Sequence, residues 1–267
     1  MRATWLTDLH LNFVRPRALA AFHAKVAAES PDALFVTGDT AEAPTLAGFL
    51  DGLAAAARAP VYFVLGNHDF YRSSLQDVRA AVQRDAAGAT YLPAAGPLQL
   101  TERTTLVGVD GWGDARCGDL ESKLSLSDWQ LIADFQPCLY DRPARADLLR
   151  GLGAAEAVAL ADQLARVPAD TRELVVLTHV PPFPEACIYN GEVSEPSWLP
   201  FFTCVATGEV LVDYARRHDT TNVVVLCGHS HGVGSHRPLP NLEVRTGGWP
   251  PNVEGYGNPI IQATLDL

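Results

Sequence analysis

The chain has little that would bind a polyanion or cross a membrane. Its 267 residues include 20 lysines and arginines against 31 aspartates and glutamates, which gives a net charge of −11. No cluster of basic side chains occurs, and phosphate backbones are bound by grouped Lys and Arg, so nucleic acid is not an expected partner. No apolar run approaches the about 18–20 residues of a membrane-spanning helix, so no membrane partner is expected either.

Cysteines are also few and scattered. The chain has five, with no Cys-x-x-Cys pair among them. This pattern argues against a disulfide framework or a zinc knuckle and favours reduced thiols. Met1 and Arg2 lead directly into a strand pattern that carries candidate ligands, so no cleaved signal peptide is expected. Together these features predict a cytoplasmic protein.

Apolar residues are what the sequence has in quantity. Hydrophobic residues make up 48% of the chain and charged residues 19%, which is enough for a sizeable core. No internal repeat and no linker-like segment divides the sequence. We therefore expect residues 1–267 to form a single domain, and the pattern leaves open whether it assembles into a homo-oligomer.

The first third of the chain alternates strand and helix patterns. Apolar runs such as "DALFVTGD" alternate with Ala-rich segments of helical spacing such as "PRALAAFHAKVAAES". This alternation predicts parallel strands joined by right-handed crossovers, in a sheet covered by helices. Further along we expect a hairpin within residues 98–110, a helical region at 145–167 with a break near Gly151 and Gly153, and buried strands in "RELVVLTHV" and "TNVVVLCGHS".

Five of the predicted strands end in polar residues of the types that bind metals. These residues are Asp8 and His10, Asp39, Asn67 with His68 and Asp69, His179, and His229 with His231. The carboxyl ends of strands in an open α/β sheet face one crevice, so the side chains should converge. Burying so many polar groups without partners would cost on the order of 1–3 kcal/mol each. Bound metal ions would supply the partners.

The same motifs, in this order, resemble those of the calcineurin-like metallophosphoesterases. Asp-x-His, Gly-Asp, Gly-Asn-His-Asp, His and Gly-His-x-His extend from Asp8 to His231, which is nearly the whole chain. The resemblance implies an α/β fold, namely a four-layer α/β/β/α sandwich with two facing mixed sheets and helices outside. It also implies a pair of metal ions at the strand ends.

The resemblance further implies a role for each position. Asp8, His10 and His231 would bind the first metal ion. Asn67, His179 and His229 would bind the second, and the Asp39 carboxylate would be shared by both ions. His68 would stand just outside the coordination sphere and assist the leaving group, and Asp69 would orient and support the site. Gly228 would let the backbone approach the site closely, so that both histidines that follow it can turn inward.

The chemistry of these ligands indicates a reaction type. Imidazole, carboxylate and amide groups without thiolate suit Mn, Fe, Zn, Co or Ni. Two such ions at about 3.5–4 Å can clamp the attacking and leaving oxygens at phosphorus, with a metal-bridging hydroxide as nucleophile. We expect a dinuclear metal-dependent phosphoesterase acting on a small phosphodiester or phosphomonoester. A nuclease, disfavoured by the net charge, and a non-catalytic scaffold, disfavoured by the complete ligand set, are the alternatives.

Other segments near the predicted site have more than one interpretation. Residues 109–116, "VDGWGDAR", form either a substrate-facing loop in which Arg116 contacts phosphate or a turn whose Trp112 packs on the core. Residues 184–207 are long and aromatic for a connection, which favours a cap that contacts substrate through Trp198. A dimer contact or a satellite core cluster would suit the same segment. Trp249 belongs either to another wall of the site or to a simple turn.

Overall fold

The computed structural model describes residues 1–86, 88–253 and 255–267. Strands are distributed from one end of the chain to the other. In chain order they are β1 Arg2–Leu6, β2 Ala33–Thr37, β3 Val61–Val64, β4 Ala89–Tyr91, β5 Leu98–Gln99, β6 Thr104–Gly108, β7 Glu173–Leu177, β8 Ile188–Tyr189, β9 Glu192–Val193, β10 Asn222–Cys227, β11 Gly234–Leu239, β12 Leu242–Thr246 and β13 Ala263–Asp266. Most of these are short and apolar, as expected for strands buried on both faces.

Helices connect most of the parallel strands. They are α1 Pro16–Ala28, α2 Leu46–Ala57, α3 Leu75–Asp85, α4 Leu92–Ala95, α5 Asp128–Leu131, α6 Arg142–Leu164, α7 Leu199–Phe202 and α8 Val205–Arg217. Several have recognisable amino-terminal signals: Ser74 caps α3 by accepting from the amide of Asp77, and Asp141 caps α6 in the same way. No helix in the described part of the chain is both long enough and apolar enough to span a membrane.

The larger strands form two mixed sheets. The first has the order β13-β1-β2-β3-β4, with β1 to β4 parallel and β13 antiparallel to β1. The second has the order β11-β12-β10-β7-β6-β5, with its four central strands parallel and both edge strands antiparallel to their neighbours. Strands β8 and β9 form a separate two-stranded hairpin.

Alternation of side chains along the strands builds the layers. Trp5 belongs to an apolar cluster between the two sheets, whereas its neighbour Leu6 belongs to the cluster beneath α1, α2 and α3. In the second sheet Val175 faces the first sheet and Val176 packs with residues of α6 and α8. Because successive side chains on a strand point to opposite faces, each sheet is covered on both sides. This confirms the predicted four-layer sandwich.

The helical region around residues 145–167 differs from expectation. Helix α6 runs without interruption from Arg142 to Leu164, so the predicted break near its two glycines is wrong. A Cβ at Gly153 would lie 2.4 Å from the Cβ of Asp114. The glycine therefore lets a loop pack directly against an unbroken helix, and this contact offsets its helix penalty of about 1 kcal/mol.

A buried charge network ties α3 to both sheets. Arg79 donates from Nε to Asp110 at 2.9 Å and from Nη2 to Glu156 at 2.8 Å. The hydroxyl of Tyr91 also donates to Asp110, at 2.7 Å. The backbone carbonyl of Asp110 accepts the amide of His179 at 2.7 Å. The network therefore supports the end of β7, where one of the candidate ligands lies.

We expect Arg79→Ala to lower the free energy of unfolding by about 3 kcal/mol, because it leaves two buried carboxylates without their cation. This loss is at the lower end of the range expected for breaking a buried ion pair, because the Arg79 side chain is 32% exposed. Arg84→Ala, on the same helix, removes an exposed pair with Asp85 and should cost at most about 1 kcal/mol. Urea unfolding of both variants measures the difference. Equal losses would contradict a structural role for the network.

Candidate metal centre

The candidate ligands from both sheets meet at the carboxyl ends of β1, β2, β3, β7 and β10. The first ligand group consists of Asp8, His10, Asp39 and His231, whose ligand atoms lie within 4.8 Å of one another. All but His231 are buried. Both ring nitrogens of His10 and the Oδ2 atom of Asp39 are buried without a hydrogen-bond partner in the described structure. A cation between these atoms would satisfy them, since imidazole and carboxylate are suitable ligands.

The second ligand group consists of Asp39, Asn67, His179 and His229. The Nε2 atom of His179 lies 3.2 Å from Oδ1 of Asn67, 3.2 Å from Nδ1 of His229 and 3.4 Å from Oδ1 of Asp39. Three atoms that normally accept protons or bind metals therefore lie close around Nε2 of His179. Asp39 belongs to both groups because its two carboxylate oxygens face opposite ways, Oδ1 toward His179 and Oδ2 toward His10 at 3.8 Å.

Backbone carbonyls decide which histidine nitrogens face the second group. The Nδ1 atom of His179 is 2.8 Å from the carbonyl of Thr37, and the Nε2 atom of His229 is 3.3 Å from the carbonyl of Phe201. A carbonyl only accepts, so each of these nitrogens carries the proton. The opposite nitrogen of each ring is then directed at the second group, as metal-binding histidines are usually held.

The backbone turns sharply at the ligand positions. Asp8, His10, Asp39, His229 and His231 all have φ between +44° and +68°, in the left-handed region. Non-glycine residues adopt this region at a cost and cluster there at functional sites. The turn at each strand end brings side chains that would otherwise point to opposite faces toward one centre. This explains how His229 and His231, one residue apart, both face it.

Two glycines allow the strand ends to approach each other. A Cβ at Gly228 would lie 2.1 Å from Oδ2 of Asp8 and 2.1 Å from Oγ1 of Thr7. A Cβ at Gly66 would lie 2.2 Å from Oδ1 of Asp39. Any side chain at either position would displace a candidate ligand. Gly228 thus has the close backbone approach that the sequence predicts.

The centre holds neutral rings beside a strongly acidic carboxylate. Burial lowers the pKa of His10 to about 3 and that of His229 to about 3, so both rings offer lone pairs. Burial would also lower the pKa of His179, but the Asp39 carboxylate outweighs it and raises this pKa to about 10. Burial opposes ionisation of Asp39, yet His179 and His68 hold its pKa well below the usual range. The centre thus favours a positive charge that a metal ion can supply in place of a proton.

His68 lies beside the two ligand groups. Its Nε2 atom is 4.0 Å from Oδ2 of Asp39 and 3.4 Å from the hydroxyl oxygen of Tyr71, and its ring centroid is 4.2 Å from that of Tyr71. Burial and the neighbouring Asp128 raise the pKa of Tyr71, so its hydroxyl stays protonated. The ring of His68 is therefore held at the edge of the centre with its side chain 16% exposed to the cleft.

Asp128, on the short helix α5, supports this arrangement and was missed by the sequence analysis. Its Oδ1 accepts from the Tyr71 hydroxyl at 2.6 Å and from Nδ2 of Asn67 at 2.8 Å. Because Asp128 binds the nitrogen of the Asn67 amide, the amide oxygen is left facing the second group. No sequence signal marks Asp128, which lies in no recognisable motif.

Asp69 does not face the cleft. It is fully buried, and it accepts the backbone amide of Ala41 at 2.9 Å and that of Gly66 at 2.8 Å. Burial and the nearby Asp39 carboxylate raise its pKa to about 8. Asp69 therefore links the loops that follow β2 and β3, the two loops that present Asp39 and Asn67.

A cleft of about 530 Å³ opens above the centre. Residues 184–207, which contain the β8–β9 hairpin and α7, form one of its walls. Besides histidines, five aromatic residues line the cleft: Tyr71, Tyr189, Trp198, Phe202 and Tyr256. The structure therefore places Trp198 where the cap interpretation expects it, whereas Tyr256, near the carboxyl end, carries no sequence signal.

Residues 109–116 do not contribute to the cleft lining. Trp112 is 3% exposed and packs 5.5 Å from the ring of Phe70 and 5.8 Å from that of Phe135. Arg116 donates two hydrogen bonds to Glu209 on α8, at 2.9 and 2.8 Å. Of the two interpretations of this segment, the structure has the turn in which Trp112 packs on the core. Arg116 does not lie on the substrate side, and its guanidinium is already paired with Glu209. Trp249 is buried and packs edge-on against His231.

Comparisons with known proteins agree with this geometry. The sequence model for calcineurin-like phosphoesterases matches residues 1–233. Similar solved structures include a phosphopantetheinyl hydrolase from Mycobacterium tuberculosis (19% identity, TM-score 0.67, covering 93% of this chain and 89% of that one) and a dimetal phosphatase from Danio rerio (12%, 0.56, 92% and 86%). At these identities the likeness shows the fold alone. No curated protein sequence matches the chain significantly.

Proposed function

The chain belongs to the calcineurin-like phosphoesterase family, and from that premise we propose that it is a dinuclear metal-dependent enzyme that hydrolyses a small phosphodiester or phosphomonoester. One observation carries the proposal. In the first ligand group both ring nitrogens of His10 and Oδ2 of Asp39 are buried without a partner, and in the second group acceptor atoms of Asn67, His229 and Asp39 crowd around Nε2 of His179. A scaffold protein would have no need for such groups, whose burial without partners costs on the order of 1–3 kcal/mol each.

The residues present fit two cations. The first ligand group would hold one ion and the second ligand group the other, and Asp39, which belongs to both groups, would contribute to both sites. Mn, Fe, Zn, Co or Ni would suit these nitrogen and oxygen donors. When bound, such ions supply Lewis acidity at phosphate oxygens and make a coordinated water acidic enough to act as the nucleophile near neutral pH.

The chain's own residues would position the reacting groups. His68 Nε2 faces the cleft edge and would protonate, or donate a hydrogen bond to, the departing oxygen. Tyr71 and Asp128 hold that ring and the Asn67 amide in place. Asp69 supports the loops behind them through two backbone amides. These contacts fix the orientation of the side chains that would act on a bound ester.

The proposal is tested by removing and restoring metal. The protein would be stripped with a chelator, refilled with Mn, Zn or Fe, and its bound ions counted by mass spectrometry. Turnover of bis(4-nitrophenyl) phosphate and 4-nitrophenyl phosphate would be measured before and after. We expect two ions per chain and metal-restored turnover of at least one ester. Two bound ions with no turnover of either ester would support the scaffold alternative, and a single ion per chain would contradict a dinuclear centre.

A further inference from the structure

The cleft lacks cationic side chains. None of the described residues that line it is a lysine or an arginine, whereas Asp128 and Glu195 line it in addition to Asp39. Phosphate dianions in proteins are usually held by Arg or Lys as well as by metal ions. A phosphomonoester brings two negative charges near neutral pH, and a phosphodiester brings one. The carboxylates would repel the second charge of a monoester with no guanidinium to compensate.

Aromatic rings flank the metal centre on two different sides. Phe202 stacks on the second-group ligand His229, with ring centroids 4.1 Å apart, and Trp198 packs edge-on against Phe202 at 5.3 Å. Tyr256 lies over the first-group ligand His10 at 4.5 Å. One aromatic wall therefore adjoins each ligand group. A phosphate bound at the centre would have a ring surface on either side.

Part of each aromatic wall is exposed to the cleft. Trp198 is 38% exposed and Tyr256 is 48% exposed, although both rings line the cleft. The remaining polar lining includes the hydroxyls of Ser125, Ser127 and Ser194, which are uncharged. Uncharged organic groups on a substrate would cover the rings and hydrogen-bond with the serines.

We propose, on the basis of the proposed function, that the substrate is a phosphodiester with two uncharged organic arms. The retained arm is aromatic or apolar and packs on Trp198. The leaving arm lies on the side of Tyr256, because the ring of His68, which assists the departing oxygen, is 6.1 Å from that of Tyr256 and 4.6 Å from that of His10.

The reaction adds one water across a phosphorus–oxygen bond. The water oxygen bonds to phosphorus, the bond to the leaving arm breaks, and the departing oxygen takes a proton to become an alcohol or a phenol. The other product is a phosphomonoester of the retained arm. This product has gained a negative charge, so a cleft without cationic side chains favours its release.

Three esters with the same 4-nitrophenolate leaving group test the charge and the retained arm. They are phenyl 4-nitrophenyl phosphate, methyl 4-nitrophenyl phosphate and 4-nitrophenyl phosphate. With the metal-loaded enzyme we expect kcat/KM to be at least tenfold higher for the phenyl than for the methyl diester, about the discrimination that apolar pockets reach. The monoester should be the poorest of the three.

Variants of Trp198 test whether the preference for the phenyl diester comes from the aromatic wall or from the intrinsic reactivity of the ester. Trp198→Ala should lower the phenyl-to-methyl ratio of kcat/KM about tenfold, and Trp198→Phe should recover most of it. The matched control is Tyr140→Ala, which removes an aromatic ring that is 96% exposed and lies outside the cleft. It should leave the ratio unchanged.

Calorimetry provides a readout that does not depend on turnover. Diphenyl phosphate should bind the metal-loaded His68→Ala protein at least tenfold more tightly than dimethyl phosphate or phenyl phosphate does. Tightest binding of phenyl phosphate, preferred turnover of the monoester, or a ratio unaffected by Trp198→Ala would overturn this inference and leave the phosphoesterase proposal standing. Selective binding of diphenyl phosphate without turnover of any ester by the unsubstituted enzyme would sustain the inference and overturn the proposed catalysis.

Discussion

Asp39→Asn should lower kcat for bis(4-nitrophenyl) phosphate by about 10³-fold or more and release one of the two metal ions. Asp39 is the residue shared by both ligand groups, with Oδ1 3.4 Å from His179 and Oδ2 3.8 Å from His10. An amide keeps the shape but loses the charge and one metal-binding oxygen. Metal-ion stabilisation of the transition state is worth several kcal/mol, and about 4 kcal/mol corresponds to about 10³-fold in rate.

The Asp39→Asn measurement needs a metal count as well as a rate. Bound ions would be counted by mass spectrometry after refilling, and kcat would be taken at saturating ester. Asp213→Asn is the matched control, because it makes the same change on the exposed face of α8, where the carboxylate pairs with Arg217. It should retain both ions and full turnover. A shared carboxylate would be ruled out if Asp39→Asn kept two ions and lost less than tenfold in kcat.

His68→Ala should lower kcat for diphenyl phosphate by about 10²–10⁴-fold while both metal ions stay bound. The ring of His68 stands beside both ligand groups, with Nε2 4.0 Å from Asp39 Oδ2. Its removal therefore takes away proton donation and no metal ligand. The loss should be smaller for bis(4-nitrophenyl) phosphate, because 4-nitrophenolate departs with less need of a proton.

The dependence on the leaving group identifies the role of His68. Rates for the two diesters would be compared in the unsubstituted protein and in the His68→Ala variant, with circular dichroism and metal content as checks on folding. His218→Ala, which removes an exposed histidine at the end of α8, is the control and should leave both rates unchanged. Equal losses for the two esters would point to substrate positioning by His68, and loss of a metal ion would make it a ligand.

Much of the fold could be predicted because the information is local. The continuous apolar runs of β1 and β2 and the Ala-rich segment of helical spacing between them imply parallel strands in a sheet covered by helices. Strands β4 and β11 were not predicted, because one is three residues long and the other is a polar edge strand. Such strands are specified by the neighbour they pair with rather than by their own pattern.

Part of the candidate site could also be predicted from the sequence, and part of it could not. Every member of the two ligand groups was named from residue type and from its place at the end of a strand. Tyr71 and Asp128 were not named, because their roles arise from contacts across 57 and 61 residues of sequence. The sequence also left Arg116 with two interpretations. Only its proximity to Glu209, 93 residues away, shows that its guanidinium is already paired.

The sequence by itself determined the kinds of donor atoms, their order along the chain, the sandwich that brings them together and the family that uses this pattern. Only the tertiary structure decided which nitrogen of His179 and of His229 faces the centre, how Asp39 comes to be shared, and which rings form the cleft walls. The physical reason is that donor type and strand period belong to single residues and short segments. Orientation, charge pairing and cavity shape depend on atoms brought close by packing between segments far apart in the chain.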